Sequence, residues 1–214
     1  MGSKETQAKI LAAALKLFNA HGTAKVSPLR IATAAGMSKG NLNYHYRKKG
    51  DIILDLFLEM QDEIISDWHP EDLKPTMEYL SFSFFRELRL MWRYRFLYRE
   101  LVPLLRADPI LKRRWSDLRR RRLADGQRHL DGLVAQGLLR RLGYPNEFDL
   151  LTANTWLLTN HWLNYVESTG EMDDQALLRG YQVMLNSIRP YATERGLRDF
   201  ERLADPQFNV EEEP

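Results

Sequence analysis

The sequence predicts an all-α protein: an N-terminal three-helix helix-turn-helix head, then a larger C-terminal helical body. Apolar residues recur at spacings of three and four, and no segment alternates apolar with polar over the length of a strand. Breakers such as Gly22, Gly36, Pro109 and the Gly143-Tyr144-Pro145 cluster punctuate the periodic segments. Charge then divides the chain, because the first fifty residues hold nine Lys and Arg against the single acid Glu5, while the remainder holds 22 against 28. A net charge of +2 thus hides a basic head on an acidic body. The 214 residues suffice for one large domain or two smaller ones, and we place the boundary between 1–50 and 51–214.

The first helix is expected over Ser3 to Ala20. Ile10, Ala14 and Leu17 form one row and Leu11, Leu15 and Phe18 the next, a stripe wide enough to face a core. His21-Gly22 ends it, with glycine suited to a left-handed cap. Ser27-Pro28 opens the second helix, the hydroxyl as N-cap and the proline at the first position, where its missing N–H costs nothing. Gly36 supplies the positive φ of a tight turn. Ser38 then caps a third helix, Lys39 to about Tyr46, in which Leu42 faces inward and His45 or Tyr46, one turn later, should do the same. Ala32, Gly36 and Leu42 are spaced so that a small residue lets two helices cross closely, a glycine turns the chain, and a leucine pins the third helix to the core. That spacing describes a DNA-reading helix-turn-helix better than an ordinary helical hairpin.

A fourth helix, from Asp51 to about Asp67, connects head to body. Further helices are expected over Leu73–Met91, Arg93–Leu105, Pro109–Gln136, Asn146–Ser168, Asp173–Tyr191 and Thr193–Leu203, with a frayed acidic tail at Glu211, Glu212 and Glu213. Leu150 to Val166 contains no Asp, Glu, Lys or Arg. Its three Thr, three Asn and one His make it too polar for a lipid-facing span. Burial against protein, at a subunit interface, explains it better, and no membrane role is expected.

Chemistry is excluded as firmly as it is indicated. With no cysteine there is no disulfide, thiolate metal site or cysteine nucleophile, which fits a reducing cytosol and a cytoplasmic protein. There is no secretory signal, no H-E-x-x-H, no glycine-rich phosphate loop and no G-x-S-x-G. No catalytic residue, metal ligand or cofactor is expected.

On the third helix, Lys39, Gly40, Asn41, Asn43 and Tyr44 are left facing a DNA groove. Asparagine can bond an adenine edge with both amide groups, whereas Lys and the Tyr hydroxyl suit phosphates. Lys48 and Lys49, at the start of the fourth helix, oppose its dipole unless a phosphate lies near. Ser27, Ser38 and Tyr46 complete the expected DNA-binding set. The run KRRWSDLRRRR, Lys112 to Arg122, contains the inward stripe Leu111, Trp115 and Leu118, so most of its cations are expected to cover a solvated face.

GMSKGNLNYHYRKKGDII resembles the recognition helix of the TetR family of prokaryotic repressors, through Gly36, Ser38, Leu42, Tyr46, Lys49 and Asp51. Ile10, Leu11, Ala14, Phe18 and Gly22 match the family's first helix. Asn43 stands where the family usually carries a tyrosine. The specific match spans about residues 7 to 57, and the body resembles the family only in length and helicity. The resemblance implies a homodimer, paired through residues 146–191 as a four-helix bundle. Its partners would be a double-stranded, pseudo-palindromic DNA operator and a small effector bound in the body. A largely apolar effector would meet aromatic and polar groups such as Phe85, Trp92, Phe96, Trp115, His129, Trp156, Asn160 and His161. The alternative is a DNA-binding structural protein with no effector, whose body recruits a protein partner.

Overall fold

The computed structural model describes residues 3–66, 75–203 and 205–208. The described residues form α1 (Ser3–His21), α2 (Pro28–Ala34), α3 (Lys39–His45), α4 (Lys49–Ser66), α5 (Met77–Arg93), α6 (Arg95–Arg99), α7 (Leu101–Ala107), α8 (Pro109–Ala135), α9 (Glu147–Glu167), α10 (Asp174–Ile188) and α11 (Glu194–Arg202). A 3₁₀ turn over Arg189–Tyr191 precedes the last, and no strand occurs among them beyond one isolated bridge, Leu139 to Ala192.

The head is built as its spacing requires. Ile10, Ala14 and Phe18 of α1 are fully covered, together with Ile31 and Ala32 of α2, Leu42 of α3 and Ile52, Leu56 and Phe57 of α4. Ser27 Oγ accepts the Arg30 N–H and Ser38 Oγ the Asn41 N–H at 3.1 Å, so both serines cap their helices. Gly36 takes φ +69°, and the Met37 N–H closes the turn onto the Ala32 carbonyl at 2.9 Å.

In the body, α8 and α5 both pack on α9, and α10 packs on α9 and α5. The expected helix over Arg93–Leu105 breaks into α6 and α7 at Glu100, and Tyr94 separates α6 from α5. Both junction side chains are held elsewhere. The Tyr94 hydroxyl donates to Glu63 at 2.7 Å, and the Glu100 carboxylate accepts from Thr23 of the α1–α2 turn. These tertiary bonds override local helix propensity. Part of the expected Leu73–Met91 helix and the tail Glu211–Glu213 lie outside the described residues; the observed α5 begins at Met77 behind a Thr76 cap. Six exposed cations, Lys112, Arg113, Arg114, Arg119, Arg120 and Arg121, clothe the outer face of α8 as expected. Arg122 does not join them.

The uncharged stretch of α9 is buried on one side only. Leu151, Thr159, Asn160 and Leu163 face the core, whereas Leu150, Leu157 and Tyr165 are exposed, Tyr165 by 67 %. No helix among the described residues is long and apolar enough to cross a membrane.

Candidate nucleic-acid interface and interior cavity

Helix α3 presents Lys39, Gly40, Asn41, Asn43 and Tyr44 together on its exposed side, while Leu42 anchors the opposite side. Tyr44 is 84 % exposed, so its ring and hydroxyl are open to a partner. Arg47 and Lys48 follow on the same exposed run. The surface therefore combines amide groups for base edges with cations and a phenol for phosphates.

Four residues expected on this surface have other duties. Ser27 and Ser38 spend their hydroxyl oxygens as helix caps, though both remain exposed at helix starts. Tyr46 turns inward, with its ring 4 % exposed and its hydroxyl donating to Asp55 Oδ2 at 2.8 Å. Burial, and then that carboxylate, raise the phenol's pKa, so it stays a proton donor. Lys49 also turns inward: Nζ donates to the Thr23 carbonyl at 2.6 Å and to the Val26 carbonyl at 3.2 Å. Carbonyl oxygens of the α1–α2 turn, 23 and 26 residues earlier in the chain, therefore take the place expected of a phosphate beside this lysine.

The same turn grips the body. The Thr23 N–H donates to Glu100 Oε1 at 2.9 Å, and its hydroxyl donates to Glu100 Oε2. One turn back along α1, Asn19 is 4 % exposed and doubly engaged. Its amide donates to the Arg93 carbonyl at 2.8 Å, and its side-chain oxygen accepts the Phe96 N–H at 3.1 Å. Arg99 donates to the Asn19 carbonyl at 2.9 Å while Nε binds both oxygens of Glu167, at 3.1 and 3.0 Å, near the end of α9. A second connection runs along α4, where Asp55 receives Tyr46 and Glu63 receives Arg93 and Tyr94. Between these two acids sits Glu59, whose pKa is raised by burial and then by Glu63.

Inside the body, three small cavities of about 50, 20 and 20 Å3 are each lined by both Glu87 of α5 and Arg122 of α8. Arg122 Nη2 is paired with Glu87 Oε1, and the two side chains are only 11 % and 22 % exposed. Thr159 Oγ1 lies 3.2 Å from Glu87 Oε2 and 3.0 Å from the Thr155 carbonyl, so its single proton has two acceptors. Trp115, Trp156 and Asn160 line these cavities, as do Phe84 and Tyr98.

The other expected effector residues lie elsewhere. His161 sits on the outer face of α9, in an open groove of about 670 Å3 with Leu157, Trp162, Tyr165 and Val183; one residue of helix rotation separates it from inward Asn160. Phe96 packs on Phe18 at 5.2 Å in the seam between head and body, and Trp92 lies beneath Arg95 at 4.3 Å. Phe85 packs at a tilt on Phe208, ring centroids 4.9 Å apart, and lines a separate groove with Arg86, Arg89 and Arg93. His129 is buried against Tyr79, with Nε2 3.2 Å from the Thr76 carbonyl. Sequence reasoning missed Glu87 and Arg122, although Arg122 falls four residues after Leu118 and continues the stripe Leu111, Trp115, Leu118.

An exposed recognition helix on a three-helix head, tied to a helical body, defines a DNA-binding transcriptional regulator. Residues 10–56 match the family model for bacterial regulatory proteins of the tetR family, and residues 59–200 match the TetR model described as a bacterial transcriptional repressor. The chain belongs to the TetR family. A TetR-family regulator from Marinobacter aquaeolei VT8 superposes with a TM-score of 0.84 at 28 % identity, over 94 % of this chain and 97 % of that one. A TetR regulator from Haloarcula marismortui reaches 0.72 at 13 % identity, over 89 % and 100 %. The ketosteroid regulator KstR2 of Mycobacterium tuberculosis reaches 0.68 at 16 %, over 91 % and 97 %. The last two are likenesses of fold. No curated protein matches the sequence significantly.

Proposed function

We propose that this protein is a homodimeric repressor. It binds a pseudo-palindromic operator through the exposed side of α3 and leaves it when a small molecule occupies the body around Glu87 and Arg122. One observation supports the coupling above all others: three consecutive residues of the chain face three different duties. Tyr98 lines the interior cavity, Arg99 bridges Glu167 to Asn19, and Glu100 holds Thr23. A ligand that displaces Tyr98 moves the two residues that fix the head. The family's bacterial repressor description supports the direction of control.

Dimerisation is assigned to α9 and α10. Leu150, Leu157, Tyr165 and Val183 leave an apolar outer face around the 670 Å3 groove, and apolar patches of this kind mark association surfaces. Two-fold symmetry then sets the two α3 helices about 34–36 Å apart, or at a multiple of that spacing, which demands matching half-sites. The unit that reads DNA is taken as 1–50, with the N-terminal half of α4 completing its core.

The small size of the interior spaces favours a second reading, a DNA-binding protein with no effector whose body recruits a protein partner. A drug-sized ligand needs about 300–1,000 Å3, so the repressor reading requires the body to open. Both readings meet one experiment. Fluorescence anisotropy of the purified protein is measured on duplex DNA from upstream of its own gene and on a shuffled duplex, across a salt series and with candidate ligands. Preference for the native duplex of about 10³-fold or more, lost on adding a ligand, supports the repressor. The same preference, insensitive to any ligand that binds the body, supports the second reading.

A further inference from the structure

We propose that the effector is a neutral, largely apolar molecule bearing a hydroxyl group, and that one face of α9, formed by Thr152, Thr155, Thr159 and Asn160, accepts that hydroxyl's proton. The proposal rests on the reading that the interior cavities take the effector.

The uncharged stretch of α9 carries more polar groups than packing alone calls for. Thr152 and Thr155 line the cavity of about 50 Å3, Thr159 and Asn160 line one of about 20 Å3, and Trp156 lines both. Valine would fill each threonine's space with no hydroxyl to satisfy. The protons of these side chains are already committed. Thr152 donates to the Phe148 carbonyl at 2.9 Å, and Thr155 to the Thr152 carbonyl at 2.9 Å. Thr159 has the Thr155 carbonyl at 3.0 Å and Glu87 Oε2 at 3.2 Å as acceptors. Asn160 Nδ2 donates to the Trp156 carbonyl at 2.6 Å, which leaves one N–H and the side-chain oxygen. Ser83 of α5, on the larger cavity, donates to the Tyr79 carbonyl at 2.8 Å. A hydroxyl has one proton and two lone pairs, so this lining retains chiefly oxygen acceptors for an occupant.

One donor shares the smaller cavity. Tyr98 is 5 % exposed, and its hydroxyl donates to the Met60 thioether at 3.7 Å, a weak acceptor. A ligand hydroxyl serves both sides: its proton goes to an α9 oxygen while its own oxygen accepts from Tyr98. An ether or a ketone serves only the second. Met60 belongs to α4 and Tyr98 to α6, so trading the thioether for a ligand oxygen loosens a contact between those helices. Charge agrees with a neutral occupant. Among the described residues, Glu87 and Arg122 are the charged groups lining these two cavities, and they neutralise each other. An ion would enter a poorly hydrated space without a counter-charge unless it broke that pair.

The test uses the full-length protein and four probes with one apolar body: 4-phenylbutanol, its methyl ether, 4-phenylbutyrate and 4-phenylbutylamine. Binding is read by tryptophan fluorescence and by thermal shift. The alcohol is expected to bind about tenfold more tightly than the ether or either ion. The variant T155V/T159V removes two oxygens at nearly constant shape. It should bring the alcohol down to the ether's level and leave the ether within about twofold of its parent affinity. Thr155→Val alone, at a half-buried position, should show part of the same loss even if the double variant folds poorly. Tyr98→Phe should weaken alcohol and ether alike, because both accept from the phenol.

Hydroxyls that serve only their own helix predict one ratio of alcohol to ether in every variant, and that result overturns the proposal. Tightest binding of the acid or the amine overturns it too, by showing that the Glu87–Arg122 pair opens to recognise charge. Equal binding of alcohol and ether by the parent overturns the hydroxyl but leaves the cavities as the effector site, whereas binding of no probe overturns both. Operator affinity is read separately. An alcohol that binds through α9 yet leaves operator affinity unchanged defeats ligand release without touching the hydroxyl site.

Discussion

Thr23 and Glu100, 77 residues apart, form a two-point clasp: the backbone N–H and the hydroxyl of one threonine both donate to the carboxylate of one glutamate. Gly22 makes room for it. Its φ of +75° lies in the left-handed region, and a Cβ there would stand 2.5 Å from Glu100 Oε1. Gly22→Ala is therefore expected to destabilise the protein by about 1–3 kcal/mol, combining backbone strain with displacement of the carboxylate. Urea denaturation of the variant beside the parent checks this; equal midpoints and slopes would refute it.

Glu100→Gln should act on coupling more than on DNA contact. The amide retains one acceptor for Thr23 but loses the charge. We expect operator affinity without ligand to remain within a few fold, while the ligand-induced loss shrinks by about 1–3 kcal/mol of coupling free energy. Anisotropy titrations with and without a bound ligand measure both quantities. An unchanged ligand effect would take Glu100 out of the coupling.

Lys48 and Lys49 are neighbours with different roles, and salt separates them. Lys48→Ala should reduce the slope of log affinity against log salt by about 0.9 for each half-site occupied, the signature of one lost phosphate contact per protomer. Lys49→Ala should leave the slope unchanged. Instead it should cost about 1–3 kcal/mol of folding stability, since it releases a charge-assisted bond to the Thr23 and Val26 carbonyls. On α3, Asn43→Ala is expected to relax base preference at one position of each half-site by about 1–3 kcal/mol. A selection from randomised half-sites reads that directly.

Ser27, Gly36, Ser38 and Leu42 announce the head because caps, turns and an inward leucine are local in sequence, and the structure places each in its expected local role. Tyr46 lies one helical turn after Leu42, so its inward face is local too, but the partners that hold Tyr46 and Lys49, namely Asp55 and the Thr23 carbonyl, are chosen by tertiary packing that no local pattern encodes. The break at Glu100 was invisible for the same reason. In the body, Trp115 and Trp156 were legible as aromatic candidates, but Glu87 and Arg122 each read as one more surface charge among many. Only the opposed faces of α5 and α8 make them a pair.

His129 provides a pH test. Burial lowers its pKa, against a smaller opposing contribution from the hydrogen bond to the Thr76 carbonyl. The unfolded chain therefore binds a proton that the folded state resists, so the stability held above the unfolded pKa of about 6.5 declines as pH falls toward the lower folded value. His129→Gln, which can still donate to the carbonyl, should flatten that part of the melting-temperature profile. A parallel profile in both proteins would place the acid sensitivity elsewhere.

The outer face of α9 makes a sharper demand. Leu157→Asp sets a charge in the middle of the groove lined by His161, Trp162 and Tyr165. Sedimentation should show monomers, and affinity for a two-half-site operator should drop by about 10²-fold or more as avidity is lost. A single half-site should bind the variant and parent alike. A dimer that survives this substitution would place the two-fold axis on another surface.

The clasp at Thr23 also says where this molecule can be cut and rejoined. Chimaeric regulators are tempting to build by splicing one protein's first fifty residues onto another's remainder. Here the joint runs through space: Asn19 and Thr23 lie on one side of it, Arg93, Phe96, Arg99 and Glu100 on the other. A graft that carries the reading helix without a matching Asn19-x-x-Gly22-Thr23 would fold and find its DNA, yet be deaf to its new body. Transplanting those three residues along with their partners Arg93, Phe96, Arg99 and Glu100 is the smallest exchange that moves the conversation intact.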